Sequence, residues 1–315
     1  MKACIAGLLL LAASNFAVFG QTLHTEATFE SPVAIRSAIL CQHGSQVAGI
    51  GDDQAIYIWT ESAKAPRRIL IPNTEIHDIS CAGDGTVAAA LSDHSVALVD
   101  PASGEIRKRI DVGGRLSVAA LSPDASQLAI AMGLGPTQLV DVKSAKTIAT
   151  TRTKFGSAWT AAYSPAGDLF VSADGDTMLR GYDRSGRLLY AADGGLLEGF
   201  SLSFSADGQQ FAAAGADGII RLFDSGSGKL LKEAPGVDHP IVALQMSPDG
   251  QRIAAYSIDD FSFAPIAISL WDVRSGKVTA LPVDPKTCVG TGMNRSHLLL
   301  IEQDAAKRLT VASVQ

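Results

Sequence analysis

The hydrophobic and polar positions of this chain alternate in short runs, which Gly- and Asp-containing turns interrupt at regular intervals. The clearest example spans residues 200–235. Residues 200–204 and 219–223 alternate with a period of two, which predicts half-buried strands. Residues 210–215 are an Ala-rich run that predicts a strand packed on both faces, and residues 229–233 predict an outer strand. Four short strands joined by tight turns predict one antiparallel sheet.

A dipeptide of an aromatic or β-branched residue followed by Asp marks the third strand of each such unit. The copies are Val99-Asp100, Val140-Asp141, Tyr182-Asp183, Phe223-Asp224 and Trp271-Asp272, with Trp59-Thr60 as a degenerate first copy. Successive copies are separated by 40, 41, 42, 41 and 48 residues. A repeat of this length, with four strands per unit, is typical of a β-propeller, in which each repeat forms one blade.

The turn that follows the inner strand also recurs at the same position, and it aligns the repeats with one another. It begins at Cys41, Cys81, Ser122, Ser164 and Ser205, in each case 18 residues before the dipeptide. In the sixth repeat the turn begins at Ser247 and the distance is 24 residues. The constant spacing predicts equivalent blades, and the longer interval predicts an inserted loop within residues 258–266.

The last repeat is incomplete and is expected to be completed by the start of the chain. Residues 287–292, 297–302 and 308–313 predict three strands, and no fourth follows. Residues 22–29 alternate as a strand before the first full repeat. We therefore predict an all-β, seven-bladed β-propeller of four-stranded antiparallel blades, closed into a ring by an N-terminal strand that completes the last blade. Such closure removes an exposed sheet edge.

The N-terminus has the pattern of a secretory signal peptide over residues 1–20. Lys2 precedes an apolar run over residues 3–13, and small residues precede Gln21, with cleavage after Ala17 as an alternative. The run is too short to span a membrane as a helix. We predict a single propeller domain over residues 21–315, exported to the periplasm or outside the cell.

The charge of the chain excludes some partner classes. The formal net charge of −6 becomes −7 once Lys2 is removed with the signal peptide. An acidic protein lacks the electrostatic footprint for nucleic acid or anionic lipid. We expect no nucleic acid, no membrane span and a monomer.

Three cysteines remain in the predicted mature chain: Cys41, Cys81 and Cys288. An odd number leaves at least one thiol unpaired in an exported protein. Cys41 and Cys81 hold the same position in adjacent repeats. We expect them to fill small apolar positions where other repeats carry Ser; the alternative is a disulfide across neighbouring inner strands.

The repeats resemble the WD-repeat family. The resemblance rests on the Ser-Pro-Asp-Gly turn at residues 247–250, the Asp-Gly turn at 217–218 and the Trp271-Asp272 ending, and it covers nearly the whole mature chain. The Gly-His dipeptide that opens each repeat of that family is missing. Only the sixth repeat approximates the family's buried hydrogen-bonded set, through His239, Ser257, Asp259 and Trp271. The resemblance implies a scaffold role.

Two series of acids repeat in phase with the blades and are interpreted as turn caps. The first lies 12 residues after the Ser or Cys that begins the turn following the inner strand, in five of the six repeats that have this turn. It comprises Asp53, Asp93, Asp176, Asp217 and Asp259. The second is the Asp of each dipeptide. A residue that recurs at one position of every blade serves the blade, here by accepting hydrogen bonds from turn amides.

Residues out of phase with the repeat are the candidates for function. In the inserted loop these are Asp260, Phe261 and Phe263, because loops on a rigid scaffold commonly carry recognition. Trp159 and Phe200 begin the inner strands of two adjacent blades. Arg115 precedes a third inner strand. The positions equivalent to Trp159 in the remaining repeats are taken as Arg36, Ile76, Ser117, Val242 and Cys288.

No short-range pattern for a metal, a nucleotide or a catalytic Ser is present in the sequence. We expect no cofactor, no metal and no catalytic residue. The sequence predicts a non-catalytic interaction scaffold that binds a protein or peptide at the loop face. The alternatives are a lactonase-like hydrolase, with its site assembled around the channel, and a propeller that binds carbohydrate or cell wall.

Overall fold

Each predicted run of alternating residues forms a strand in the computed structural model. The structure describes residues 23–41, 45–60, 63, 65–133, 135–151, 157–196, 198–235, 239–259, 261–262, 265–281, 284, 287–293 and 298–314. The predicted signal peptide lies outside these residues. Within them, no helix is both long and apolar enough to cross a membrane.

The strands fall into seven groups of four. Within each group the neighbouring strands pair antiparallel, in order from the channel outward. The innermost strands are β2 (Ile35–Cys41), β6 (Ile76–Cys81), β10 (Leu116–Leu121), β14 (Ala158–Tyr163), β18 (Gly199–Phe204), β22 (Ile241–Met246) and β26 (Cys288–Met293). The second strands are β3 (Gln46–Gly51), β7 (Val87–Leu91), β11 (Gln127–Met132), β15 (Leu169–Asp174), β19 (Gln210–Gly215), β23 (Arg252–Ile258) and β27 (Leu298–Gln303).

The third strands carry the dipeptide that marks the repeat. They are β4 (Ala55–Thr60), β8 (Ser95–Val99), β12 (Gln138–Asp141), β16 (Met178–Asp183), β20 (Ile219–Asp224), β24 (Pro265–Asp272) and β28 (Arg308–Val314). The outer strands are β5 (Arg67–Leu70), β9 (Ile106–Asp111), β13 (Lys146–Thr150), β17 (Leu188–Asp193), β21 (Leu230–Pro235), β25 (Val278–Ala280) and, from the start of the chain, β1 (Leu23–Glu30). The predicted seven-bladed propeller is confirmed.

The predicted closure by the N-terminal strand is also confirmed. Strand β1 pairs antiparallel with β28 from Leu23↔Val314 to Glu30↔Arg308. On the inner side, β26 pairs in parallel with β2 at Ala38↔Gly290 and Ile39↔Thr291. A Cβ on Gly290 would lie 1.9 Å from the carbonyl oxygen of Ala38, so only glycine permits this approach. The last and first blades therefore share one eight-stranded sheet.

The core lies between adjacent blades, which explains the Ala-rich second strands. Ala212 and Ala214 face the sixth blade, beside Ile253. Ala213, on the opposite face of the same strand, packs against Val171 of the fourth blade. All three alanines are fully buried. Small side chains let neighbouring sheets approach on both faces, while the outer strands remain largely exposed.

The expectation that Cys41 and Cys81 are separate thiols is wrong, because the two residues form a disulfide. They lie at the ends of β2 and β6, where the inner strands of adjacent blades converge and the two Cα atoms are 5.9 Å apart. That separation is ordinary for a disulfide. Cys288 is buried and free.

Candidate functional site

The inner strands share a backbone feature that places seven residues at one end of the channel. In every blade the pairing of the inner strand with the second strand skips one residue, the second of the inner strand. These β-bulge residues are Arg36, His77, Ser117, Trp159, Phe200, Val242 and Val289, and we call them the mouth ring. Bulges re-aim side chains and are frequent next to functional sites.

Two of the positions predicted to be equivalent to Trp159 are wrong. Ile76 and Cys288 are one residue too early, and they are buried at 2% and 8% exposure. Their neighbours His77 and Val289 are the bulged residues. A bulge changes which residue faces the channel without changing the length of the repeat, so only the strand pairing reveals it.

The three candidates Trp159, Phe200 and Arg115 lie at this end of the ring on three consecutive blades. Trp159 is half-buried in β14, and Arg115 is exposed immediately before β10. Phe200 is described only as a residue of β18. The structure therefore places all three at the same end of the fold.

The inserted loop of the sixth blade opens at the same end. The main-chain N–H of Ile258 donates to the carbonyl of Pro240, which ties the loop to the residues that precede inner strand β22. The Asp259 carboxylate accepts hydrogen bonds from the N–H groups of Phe261 and Ser262 and so fixes the start of the loop. The Phe261 side chain is 93% exposed. The candidates Asp260 and Phe263 lie outside the described residues.

The two acid series cap turns, as predicted. In the first series the carboxylates accept from main-chain N–H groups two residues on, for example Ala55 N to Asp53 Oδ1 at 3.3 Å and Ile219 N to Asp217 Oδ1 at 3.3 Å. In the second, Ser227 N donates to Asp224 Oδ1 at 2.9 Å. Hydrogen bonds from the Ser227 hydroxyl and N–H hold the pKa of the Asp224 carboxyl below its usual range. In the described part of the chain, no group of three or more His, Cys, Asp or Glu is arranged to hold a metal ion.

Sequence reasoning missed a buried charged cluster in the fourth blade. Asp174 and Asp176 share Arg180, whose Nη1 lies 2.6 Å from Asp174 Oδ2 and whose Nη2 lies 2.6 Å from Asp176 Oδ2. Burial raises the pKa of Asp174 to about 6, and the Arg180 guanidinium opposes the shift. Asp174 lies two residues before the turn acid.

The signal for this cluster was present in the sequence. The residues equivalent to Asp174 in other blades are Gly51, Leu91, Gly215 and Ser257, so this acid is out of phase with the repeat. What the sequence does not show is that the acid side chain is fully buried.

A second titratable group, Asp78, lies in the channel wall just inside the mouth ring. The equivalent residue Ser201 accepts a hydrogen bond from Leu244 N at 2.9 Å, which links adjacent inner strands. Asp78 makes the same link, since its carboxylate accepts from the N–H groups of Ile79 and Ala119. Burial outweighs these hydrogen bonds and raises the pKa of Asp78 to about 7.

The raised pKa of Asp78 predicts that stability falls as pH rises. Below pH 4 the carboxyl is protonated in both states; between pH 4 and 7 only the folded state holds the proton, so stability declines until it levels off above pH 7. Asp78→Asn should flatten this dependence and raise Tm at pH 8 by up to about 8 °C, because about three pKa units at about 1.4 kcal/mol each amount to about 4 kcal/mol. Thermal melts from pH 5 to 8 measure it.

Asp207→Asn is the matched control, because hydrogen bonds from Gln209 N and Ser205 Oγ lower the pKa of Asp207. That variant should lose stability at pH 8. A gain of equal size in both variants would show that the effect does not come from burial of Asp78.

Comparisons with known proteins agree with this architecture. A family model described as "WD domain, G-beta repeat" matches residues 199–224, which are the first three strands of the fifth blade. THO complex subunit 3 of Arabidopsis thaliana is 23% identical over 269 residues, which cover 82% of each chain. The crystal structure of the Myceliophteria thermophila Cps50 (Swd1) β-propeller domain superposes with a TM-score of 0.78 at 17% identity, covering 93% of this chain and 100% of that one. Together these matches support a WD40-type β-propeller.

The buried hydrogen-bonded set that the WD-repeat resemblance implied is not formed in the usual way. Ser257 Oγ and Trp271 Nε1 are buried with no hydrogen-bond partner in the described part of the chain. The Asp259 carboxylate instead accepts from the amides of the inserted loop. The sixth blade thus uses this acid to shape its loop.

Proposed function

We propose that this protein is an exported, non-catalytic interaction scaffold that binds a protein or peptide partner at the mouth end of the ring. The surface we propose comprises Trp159, Phe200, Arg115 and the inserted loop with Asp260, Phe261 and Phe263. One observation carries the proposal: Phe261 is 93% exposed on a loop whose base is fixed by Asp259. An exposed aromatic on a rigid support is a typical anchor for a partner.

The fold supports a binding role. WD40 propellers generally bind protein partners, and the name of the Arabidopsis relative identifies that protein as a subunit of a complex. Many turn acids at the mouth end are already engaged, as Asp53 is with Arg68 at 2.8 Å and Asp217 is with Arg221 at 2.6 Å. Such pairs order the turns around the proposed surface.

The disulfide supports the exported location. Disulfides persist in oxidising compartments and are rare in the cytosol. The Cys41–Cys81 bond joins two neighbouring blades, and it belongs to a chain that begins with a predicted signal peptide. A fusion of residues 1–20 to a periplasmic reporter tests export directly.

The hydrolase alternative would need charged groups that converge on a pocket. A cavity at the channel is lined by Arg36, whereas Arg115 and Glu198 are not among its lining residues. Both are exposed. The arrangement therefore favours a binding surface over this assembly of catalytic groups.

A pull-down from the native exported fraction tests the scaffold proposal. The Trp159→Ala, Phe261→Ala double variant should lose at least about tenfold in affinity for the recovered partner, because truncating two aromatic anchors costs about 1.4 kcal/mol or more. Titration calorimetry with the purified partner gives the number.

Leu189→Ala is the matched control. Leu189 is also exposed, at 46%, but lies on outer strand β17, away from the mouth. It should bind as the wild type does. If the double variant, folded by its melting temperature, binds equally well, the mouth is not the recognition surface.

A further inference from the structure

A cavity of about 340 Å³ lies where the channel meets the seam between the last blades and the first. Its walls come from the inner strands β2, β22 and β26, with Tyr256 of β23. Cavities that hold small ligands begin at about 300 Å³. Gly290 belongs to this wall, at the place where β26 and β2 approach most closely.

The polar groups of the cavity are neutral except for one. Burial raises the pKa of the Cys288 thiol to about 11 and that of the Tyr256 phenol to about 12, so both keep their protons at neutral pH. Ser37 and Gln245 are uncharged. Arg36 is the single charged residue among the lining residues that the structure describes.

The Arg36 guanidinium retains hydrogen-bonding capacity. Its Nη2 donates to Gln54 Oε1 at 3.0 Å and to the carbonyl of Ile76 at 3.3 Å, which fixes the plane of the group. A guanidinium has five N–H donors. The three on Nε and Nη1 have no hydrogen-bond partner in the described part of the chain, and a carboxylate oxygen can accept a charge-assisted hydrogen bond from Nη1.

The remainder of the cavity is apolar. Ile39, Val242, Leu244 and Val289 contribute to its lining, together with the ring of Tyr256. Glu302 pairs with Cys288 across two strands but is not among the lining residues. The cavity thus combines one anchored cation with an apolar wall.

We propose that this cavity binds a small organic acid, with the carboxylate on Arg36 and an aryl or alkyl body against the apolar wall. Three of its lining residues, Arg36, Val242 and Val289, belong to the mouth ring. The site uses none of the residues of the proposed partner surface, and it does not depend on the proposed scaffold function. Because the volume of about 340 Å³ is small, the ligand is a free acid of a dozen or so heavy atoms rather than a folded partner.

The test uses 3-phenylpropionate as the probe and 3-phenylpropionamide as its neutral match. Saturation-transfer NMR on the full mature protein should show millimolar or tighter binding of the acid, as expected for a ligand of this size. The amide should bind at least tenfold more weakly. Arg36→Met should remove the preference for the acid, whereas Arg274→Met, which changes an exposed arginine outside the cavity, should keep it.

A second variant tests the location without a change of charge. Ala243→Leu places a larger side chain in the cavity wall and should abolish binding of the acid, with folding checked by the melting temperature. The proposal is overturned if the wild type does not bind the acid, or binds acid and amide equally. It is also overturned if either Arg36→Met or Ala243→Leu leaves acid binding unchanged.

Discussion

Deletion of residues 23–30 should lower the melting temperature by about 10 °C or more, or prevent folding altogether. This deletion removes β1, the outer strand of the last blade, and leaves the whole edge of β28 unpaired. It also uncovers Leu309 and Val311, which are buried at 0% and 3% exposure. Loss of a few buried side chains at about 1.5–3 kcal/mol each amounts to about 5 kcal/mol.

The strand also holds the first blade in place. Trp59 Nε1 donates to the carbonyl of Glu30 at 2.9 Å. Phe29 packs on the cluster that contains Trp59 and Leu309. Loss of β1 therefore weakens two blades, one at each side of the seam.

Removal of residues 1–22 alone is the matched control, because it leaves β1 intact. A finer pair is Phe29→Ala, which should destabilise, and Thr28→Ala, whose side chain is exposed and should be nearly neutral. Thermal melts followed by circular dichroism give all four values. An unchanged melting temperature after deletion of 23–30 would refute the closure as a source of stability.

Replacement of both bridged cysteines, Cys41→Ser with Cys81→Ser, should be the next most damaging change. The disulfide closes a loop with a sequence separation of 40 residues. In the loop-entropy account, loss of such a cross-link costs about 4 kcal/mol, or about 8 °C or more in melting temperature for a chain of this size. A thiol titration of unfolded residues 21–315 without reductant should find only Cys288.

Reduction distinguishes the bond from the side chains. Reductant should lower the melting temperature of the wild type to that of the double variant and should leave the double variant unchanged. Cys288→Ser, which changes the free thiol, should retain the effect of reductant. Three titratable thiols in unfolded residues 21–315 would contradict the disulfide.

The sequence predicted most of the architecture because a propeller consists of repeated blades, and each blade is formed by residues that are close together in the sequence. Strand alternation, turn residues and a spacing of about 41 residues are all set within one blade, so each copy confirms the others. The strand that closes the ring was also predictable, because an incomplete last repeat and an unassigned first strand leave a single simple solution.

Features that arise between strands were harder to predict. The one-residue bulge that selects His77 in place of Ile76 depends on the register of two strands, and the repeat length does not record it. The pairing of Cys41 with Cys81 depends on how closely two inner strands converge. The two cysteines hold the same position in adjacent repeats, which is compatible with a disulfide. The sequence does not give the distance between their Cα atoms.

By itself, the sequence determined the strands, the seven blades, the turn acids and the exceptional loop of the sixth blade, because these follow from patterns within about 40 residues. Only the tertiary structure decided which side chains meet at the channel. Neighbouring strands and blades bury Asp78 and bring Arg180 to Asp174. They also place Arg36 at the cavity between the last blades and the first, where it is the single charged residue among the described lining residues. Desolvation and charge pairing act through space, so sequence spacing alone cannot reveal them.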